Sequence, residues 1–249
     1  MDTYYNFMNA SGAVQDLCRG LRSGRDGQII RITGSKNRLP AAFVRDADAI
    51  GMSTMTTTLH DNYFVFVKVN FKMPTSPTDP NAIVAAEREL RDRQIKAIEV
   101  FRKHIPGFEK TFIARTGPTL CVRRGRCIVC DYDITPDDVV EGRHFDDDVF
   151  VYGFHDCAPR VKIKGGGTYG VPYRALLVTG LSNLFATGMM ITSDWEAHMS
   201  TRNTVSCMGH GQAAGTAAAI CADRRIGSRE LPYTDLRRAL EAGGVFFER

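Results

Sequence analysis

The sequence predicts a mixed α/β protein, and three stretches predict it. Tyr63-Phe64-Val65-Phe66-Val67-Lys68-Val69-Asn70-Phe71 is aromatic or β-branched at most positions, which is the composition of a strand. A helix is expected from Asp79 or Asn81. Ile83, Val84, Glu87, Leu90, Gln94, Ala97, Ile98 and Phe101 follow one side at helical spacing, and Arg88, Glu89, Arg91, Asp92, Arg93 and Lys96 form a solvated face. A second helix is expected to open near Gly209 and run through Gln212-Ala213-Ala214-Gly215-Thr216-Ala217-Ala218-Ala219, where small side chains allow close approach to a sheet.

The remaining elements are weaker. Residues 1–8 show no cap and no clear period. Ser11 reads as the cap of a short helix with Val14, Leu17, Cys18 and Leu21 on one face, broken by Gly24 and Gly27. Gln28-Ile29-Ile30-Arg31-Ile32 reads as a strand, and residues 34–60 give no clear pattern. Pro74 to Pro80 is a loop, and Ile105-Pro106-Gly107-Phe108 ends the long helix. Arg126 to Tyr132 reads as a strand, Thr135 as the cap of a short helix with Pro136 at its first position, and Val149-Phe150-Val151-Tyr152 as a strand. Val171 to Leu177 and Asn183 to Thr187 read as further strands, and Leu231 to Gly243 as a closing helix.

Composition narrows the function classes. A hydrophobic content of 43% and a charged content of 24% are those of a globular domain. The net charge of +4 permits anionic ligands, and no nucleic-acid-binding motif accompanies it. Seven cysteines, an odd count in a chain of this length, point to reduced thiols and a cytoplasmic setting. Neither a secretory leader nor a long apolar run is visible, so no membrane is expected. Gly165-Gly166-Gly167-Thr168-Tyr169-Gly170 spells G-x-G-x-x-G, but Pro172 follows at once, and a dinucleotide fingerprint must open a helix. A turn is the expected reading.

Pro172-Tyr173-Arg174, Asn183-Leu184, Gly188, Glu196-Ala197-His198, Ser200, Arg202, Cys207-Met208 and Gly211-Gln212-Ala213-Ala214-Gly215 together resemble the C-terminal signature of the FAD-dependent oxidoreductases. These are the glutathione-reductase-like flavoproteins, with relatives described as heterodisulfide-reductase-subunit-A-like. The resemblance implies the C-terminal part of a Rossmann-like FAD/NAD(P)-binding domain joined to a sheet-and-helix substrate domain. It implies FAD as cofactor and hydride transfer between a small-molecule substrate and the flavin. The implied division is 1–170 for the substrate or cap domain, 171–230 for the flavin-binding strand and helix, and 231–249 for the tail.

The same resemblance assigns candidate residues. Gly188, Met189, Met208, Gly209, His210, Gly211, Gln212 and Ala213 would contact the cofactor, with the glycine-rich helix mouth offering N–H groups to the pyrimidine edge of the ring. His198 would pass a proton to or from substrate, or else fix its loop by hydrogen bonds; Arg202 would brace the loop or bind an anion. Arginine clusters tend to recognise anions, so, apart from the resemblance, Arg124 in the Arg-rich stretch after Cys121 would hold a substrate carboxylate, with structural ion pairing as the alternative. His155-Asp156 would approach the substrate, or form a hydrogen-bonded turn. Met189 and Met190 stand where relatives often have Arg-Cys, and Trp195 is expected to pack.

Two alternatives remain open. Some relatives carry a 4Fe-4S cluster, and Cys121, Cys127, Cys130 and Cys157 raise the question of a metal site. In a flat strand, though, positions 127 and 130 point to opposite faces, so no metal ligands are assigned. The strand–glycine–helix unit that wraps the FAD pyrophosphate is not recognised near the start of the sequence. The chain is therefore expected to be a fragment, a non-catalytic remnant, or a subunit whose partner chain supplies that half.

Overall fold

A computed structural model describes residues 1–22, 25–53, 56–59, 64–155 and 161–248. The chain divides into two compact units, Met1–Cys121 and Val122–Arg249. The division at residue 170 expected from the resemblance falls inside a strand.

In the first unit, α1 (Asp2–Ala10) ends where Ser11 Oγ donates to Met8 O at 2.9 Å and Gly12 turns the chain at φ +63°. Strand β1 (Val14–Arg22) then pairs antiparallel with β2 (Arg25–Gly34). The helix expected from Ser11 is therefore a strand. Register shifts at three places along β1 break the period-two alternation, and the apolar spacing that results imitates a helix. Helix α2 (Ala41–Ala49) lies in the stretch that gave no pattern; Phe43 and Ala47, one turn apart, are its buried side.

Strands β3 (Met52–Ser53), β4 (Thr56–Leu59), β5 (Phe64–Val65) and β6 (Lys68–Val69) complete two sheets, ordered β1-β2-β4-β5 and β3-β6. The long strand expected over 63–71 is thus split. Phe64–Val65 pairs with β4 and Lys68–Val69 with β3, so the run changes sheets between them; Tyr63 lies outside the described residues. Helix α3 (Pro80–His104) follows expectation, with the Asp79 carboxylate accepting from Asn81 N at 2.9 Å. Tyr4, Met8, Ile29, Phe43, Val100, Phe101 and Ile105 form this unit's core, where Phe43 and Phe101 meet edge to face at 6.3 Å.

In the second unit, Thr135 and Asp138 make the capping box of α4 (Pro136–Val140). Strand β7 (Asp148–Tyr152) pairs antiparallel with β8 (Tyr169–Pro172). The glycine triplet Gly165–Gly167 is a single 3-10 turn leading into β8 rather than a helix, as its context predicted. The strand expected over Val171–Leu177 stops at Pro172 and continues as a 3-10 turn, Tyr173–Leu176. The two other expected strands are reduced to single bridges, Cys130 to Val178 and Leu177 to Phe185. Helices α5 (Trp195–Thr201), α6 (Thr204–Arg224) and α7 (Tyr233–Ala242) follow.

Helix α6 lies tightly against β7. A Cβ at Gly209 would stand 2.8 Å from two carbons of the Phe150 ring, closer than van der Waals contact. Ala213, Ala214, Ala217 and Cys221 continue the buried side, while Gly215 has nothing near its missing Cβ. Gly209→Ala is therefore expected to destabilise the second unit by about 1–2 kcal/mol despite its better helix propensity. Gly215→Ala should instead gain up to about 1 kcal/mol. Urea unfolding of the two variants checks this; equal shifts would contradict the close packing at Gly209.

Candidate functional site at the mouth of α6

The mouth of α6 is displaced from its expected position. Its first internal bond is Cys207 N to Asn203 O at 2.8 Å, which leaves the amides of Thr204, Val205 and Ser206 ahead of the ladder. Asn203 is the N-cap, but its side chain does not cap the helix; Nδ2 donates to Met199 O at 3.1 Å. Thr204 and Val205 are exposed and Ser206 is buried, and no side chain caps the helix. The expectation that Gly209 to Gln212 offer free N–H groups is corrected: they lie beyond the first turn, where amides bond to carbonyls four residues back. Gly209 is glycine because of Phe150.

The other expected cofactor residues divide by exposure. Met208 is 67% exposed and Gly211 and Gln212 are also on the open face, whereas His210 and Ala213 are buried. Gly188 begins a 3-10 turn, Gly188–Met190, that packs against α6. It sits at φ +70° with nothing within 4 Å of a would-be Cβ, so the backbone is open there. Met189 and Met190 are exposed beside it. His210 lies beneath, its ring 5.3 Å from Phe150 and Nε2 3.5 Å from Ser206 Oγ. Burial holds its pKa down to about 3, and Nδ1 has no hydrogen-bond partner among the described residues.

Arg124 and His198 come together at Ser193. Arg124 Nη2 donates to Ser193 O at 3.0 Å, and Ser193 Oγ lies 3.4 Å from His198 Nδ1 and 3.1 Å from Thr201 Oγ1. His198 Nε2 donates to Arg123 O at 3.0 Å, so the imidazole is fixed at both nitrogens. Burial, and then the charges of Arg124 and Arg202, hold its pKa below the ordinary value. The proton-passing role considered for His198 does not suit a ring 1% exposed; the loop-fixing alternative does. Arg202 ends α5 and is 8% exposed, directly ahead of the α6 cap. His155 is buried after β7, and Asp156 and Cys157 lie outside the described residues. Trp195, expected to pack, is 60% exposed, its ring 5.8 Å from the Arg124 guanidinium carbon.

Sequence reasoning missed Asn203, Thr204, Ser206 and Ser193. Asn203-Thr204 carried a usable signal, since asparagine is a favoured N-cap; Ser193 carried none.

The FAD dependent oxidoreductase family matches residues 12–240 of this chain, and the chain belongs to that family. No curated protein and no solved structure matches it. It is a flavin oxidoreductase by family, with FAD as cofactor. The residues present fit a flavin: uncapped amides at Thr204 and Val205, open backbone at Gly188, and exposed apolar side chains at Met189, Met190, Val205 and Met208. Among the described residues, no group of three His, Cys, Asp or Glu is placed to hold a metal ion, and no helix is long and apolar enough to cross a membrane.

His210 makes stability depend on pH. The unfolded imidazole takes up a proton below about pH 6.5, whereas the folded one stays neutral down to about 3. Its contribution is complete above pH 6.5 and is lost as pH falls towards 3, on the order of a few kcal/mol. His198 acts in the same direction. In urea titrations at pH 7 and pH 4, His210→Gln should lose less stability on acidification than the unchanged chain. An equal loss would show that His210 is not the buried neutral base.

Proposed function

We propose that the isoalloxazine ring of FAD rests on the mouth of α6, its pyrimidine edge accepting from the exposed amides of Thr204 and Val205. The observation that carries this reading is the uncapped mouth of a 21-residue helix, in a chain whose family uses FAD. FAD, when bound, supplies an acceptor for the hydride of a small-molecule substrate. The chain's own residues bind and orient. Gly188 allows the ring to approach the backbone, and Met189, Met190, Val205 and Met208 exclude water from its edge. The α6 dipole favours negative charge at the same edge.

Arg124 and Arg202 hold the substrate beside the ring, and His198 acts as a positioning residue that fixes the loop between them. Within the family, the stretch from Pro172 to Gly215 supports a relationship to the glutathione-reductase-like enzymes and their heterodisulfide-reductase-subunit-A-like relatives. The G-x-G-x-x-G at 165–170 leads into β8 instead of a helix and so does not cradle the pyrophosphate.

Thr204→Pro tests the seat. Proline is tolerated at the first helical position, and Asn203 already has the extended backbone (φ −67°, ψ 150°) that a following proline requires. The substitution removes one amide donor and leaves the helix. In a fluorescence titration with FAD, the dissociation constant should rise about five- to tenfold, corresponding to a lost hydrogen bond of about 1–1.5 kcal/mol. Unchanged affinity, with unchanged helix content, would place the flavin elsewhere.

A further inference from the structure

Ahead of the α6 mouth, a buried donor has no acceptor. Arg124 Nη2 is satisfied by Ser193 O, but Nη1 is enclosed and has no hydrogen-bond partner among the described residues. Leaving such a charged donor buried and unpaired is costly, so an acceptor at this position would be favoured. Two carboxylates lie in the region. Asp194 is already committed, accepting from Glu196 N at 2.9 Å as the cap of α5. Asp133 is exposed, and both Asp194 and Arg124 act on its charge, yet it does not bond to Nη1. A second guanidinium, Arg202, shares His198 with Arg124 as an electrostatic neighbour. The indole of Trp195 covers the Arg124 guanidinium while remaining largely exposed itself. An exposed, rotatable side chain thus lies beside a guanidinium that keeps one unpaired nitrogen.

We propose that Arg124, roofed by Trp195 and backed by Arg202, binds the carboxylate of a small organic acid, and that Trp195 moves aside to admit it. The planar fork and the flat indole favour a planar two-oxygen anion over a tetrahedral one. This names the substrate class of the site proposed above and rests on that reading for its role in the reaction. The binding itself requires no flavin, so the two fail separately. Carboxylate binding without FAD binding would overturn the flavin seat alone, and FAD binding without carboxylate binding would overturn this proposal alone.

Trp195 is the chain's single tryptophan, so intrinsic fluorescence reports on the site directly. The full chain, free of flavin, is titrated at constant ionic strength with acetate and succinate, and in parallel with chloride and inorganic phosphate. A saturable change in emission is expected with the two carboxylates. Arg124→Gln should weaken it at least tenfold with unchanged circular dichroism, and Arg124→Lys should not restore it, because lysine lacks the fork. Calorimetry on Trp195→Phe, which keeps both arginines, should still detect binding. An absent signal, an equal response to chloride or phosphate, binding unaffected in a folded Arg124→Gln, or no heat with Trp195→Phe would each overturn the proposal.

Discussion

The close seating of α6 on β7 is the constraint on which the second unit depends. At Gly209 the helix backbone comes so near the Phe150 ring that no Cβ fits. One residue on, the His210 ring lies 5.3 Å from the same phenyl group. Helix and strand are thus held by two adjacent residues. Small side chains at Ala213, Ala214 and Ala217 extend the contact along the helix. The opposite side, with Val205, Met208, Gly211 and Gly215, is left exposed. A helix pinned in this way presents its N-terminus in a fixed direction, as an electrostatic site requires.

The break between α5 and α6 determines what that terminus offers. Arg202 closes α5 with a helical backbone, and Asn203 then extends the chain before α6 begins. Asn203 spends its amide nitrogen on Met199 O, a carbonyl near the end of α5, instead of capping the next helix with its oxygen. One helix end is satisfied and the other left open. Arg202, one residue from the open end, adds positive charge, and Ser193 ties Arg124 and His198 into the same region. Donors and positive charge therefore gather where the backbone is accessible, which suits a flavin oxidoreductase that handles anionic groups.

Much of this was legible in the sequence, for local reasons. Helix α3 declares itself by an apolar side and an aspartate cap, and neither depends on distant residues. The turn at Gly165–Gly167 was readable because Pro172 forbids the helix a nucleotide fingerprint needs. His198 stands in the motif and Arg124 in a separate Arg-rich stretch, whereas Ser193, which both touch, carries no pattern of its own. Failures arose where a long-range partner decided the outcome. Strand β1 looks helical because bulges displace its side chains, and the run from Phe64 to Val69 divides because its halves find partners in different sheets. Gly209 resembled a helix start because glycine commonly marks one; its need for glycine came instead from a ring on another element.

The flavin seat stands or falls with the amides of Thr204 and Val205. Amide-resolved hydrogen exchange by NMR, with and without added FAD, tests it most directly. Exchange at these two amides should slow on adding FAD, with little change from Gly209 to Gln212, whose amides are already bonded within α6. FAD binding that leaves residues 204 and 205 unprotected and protects amides elsewhere would contradict it.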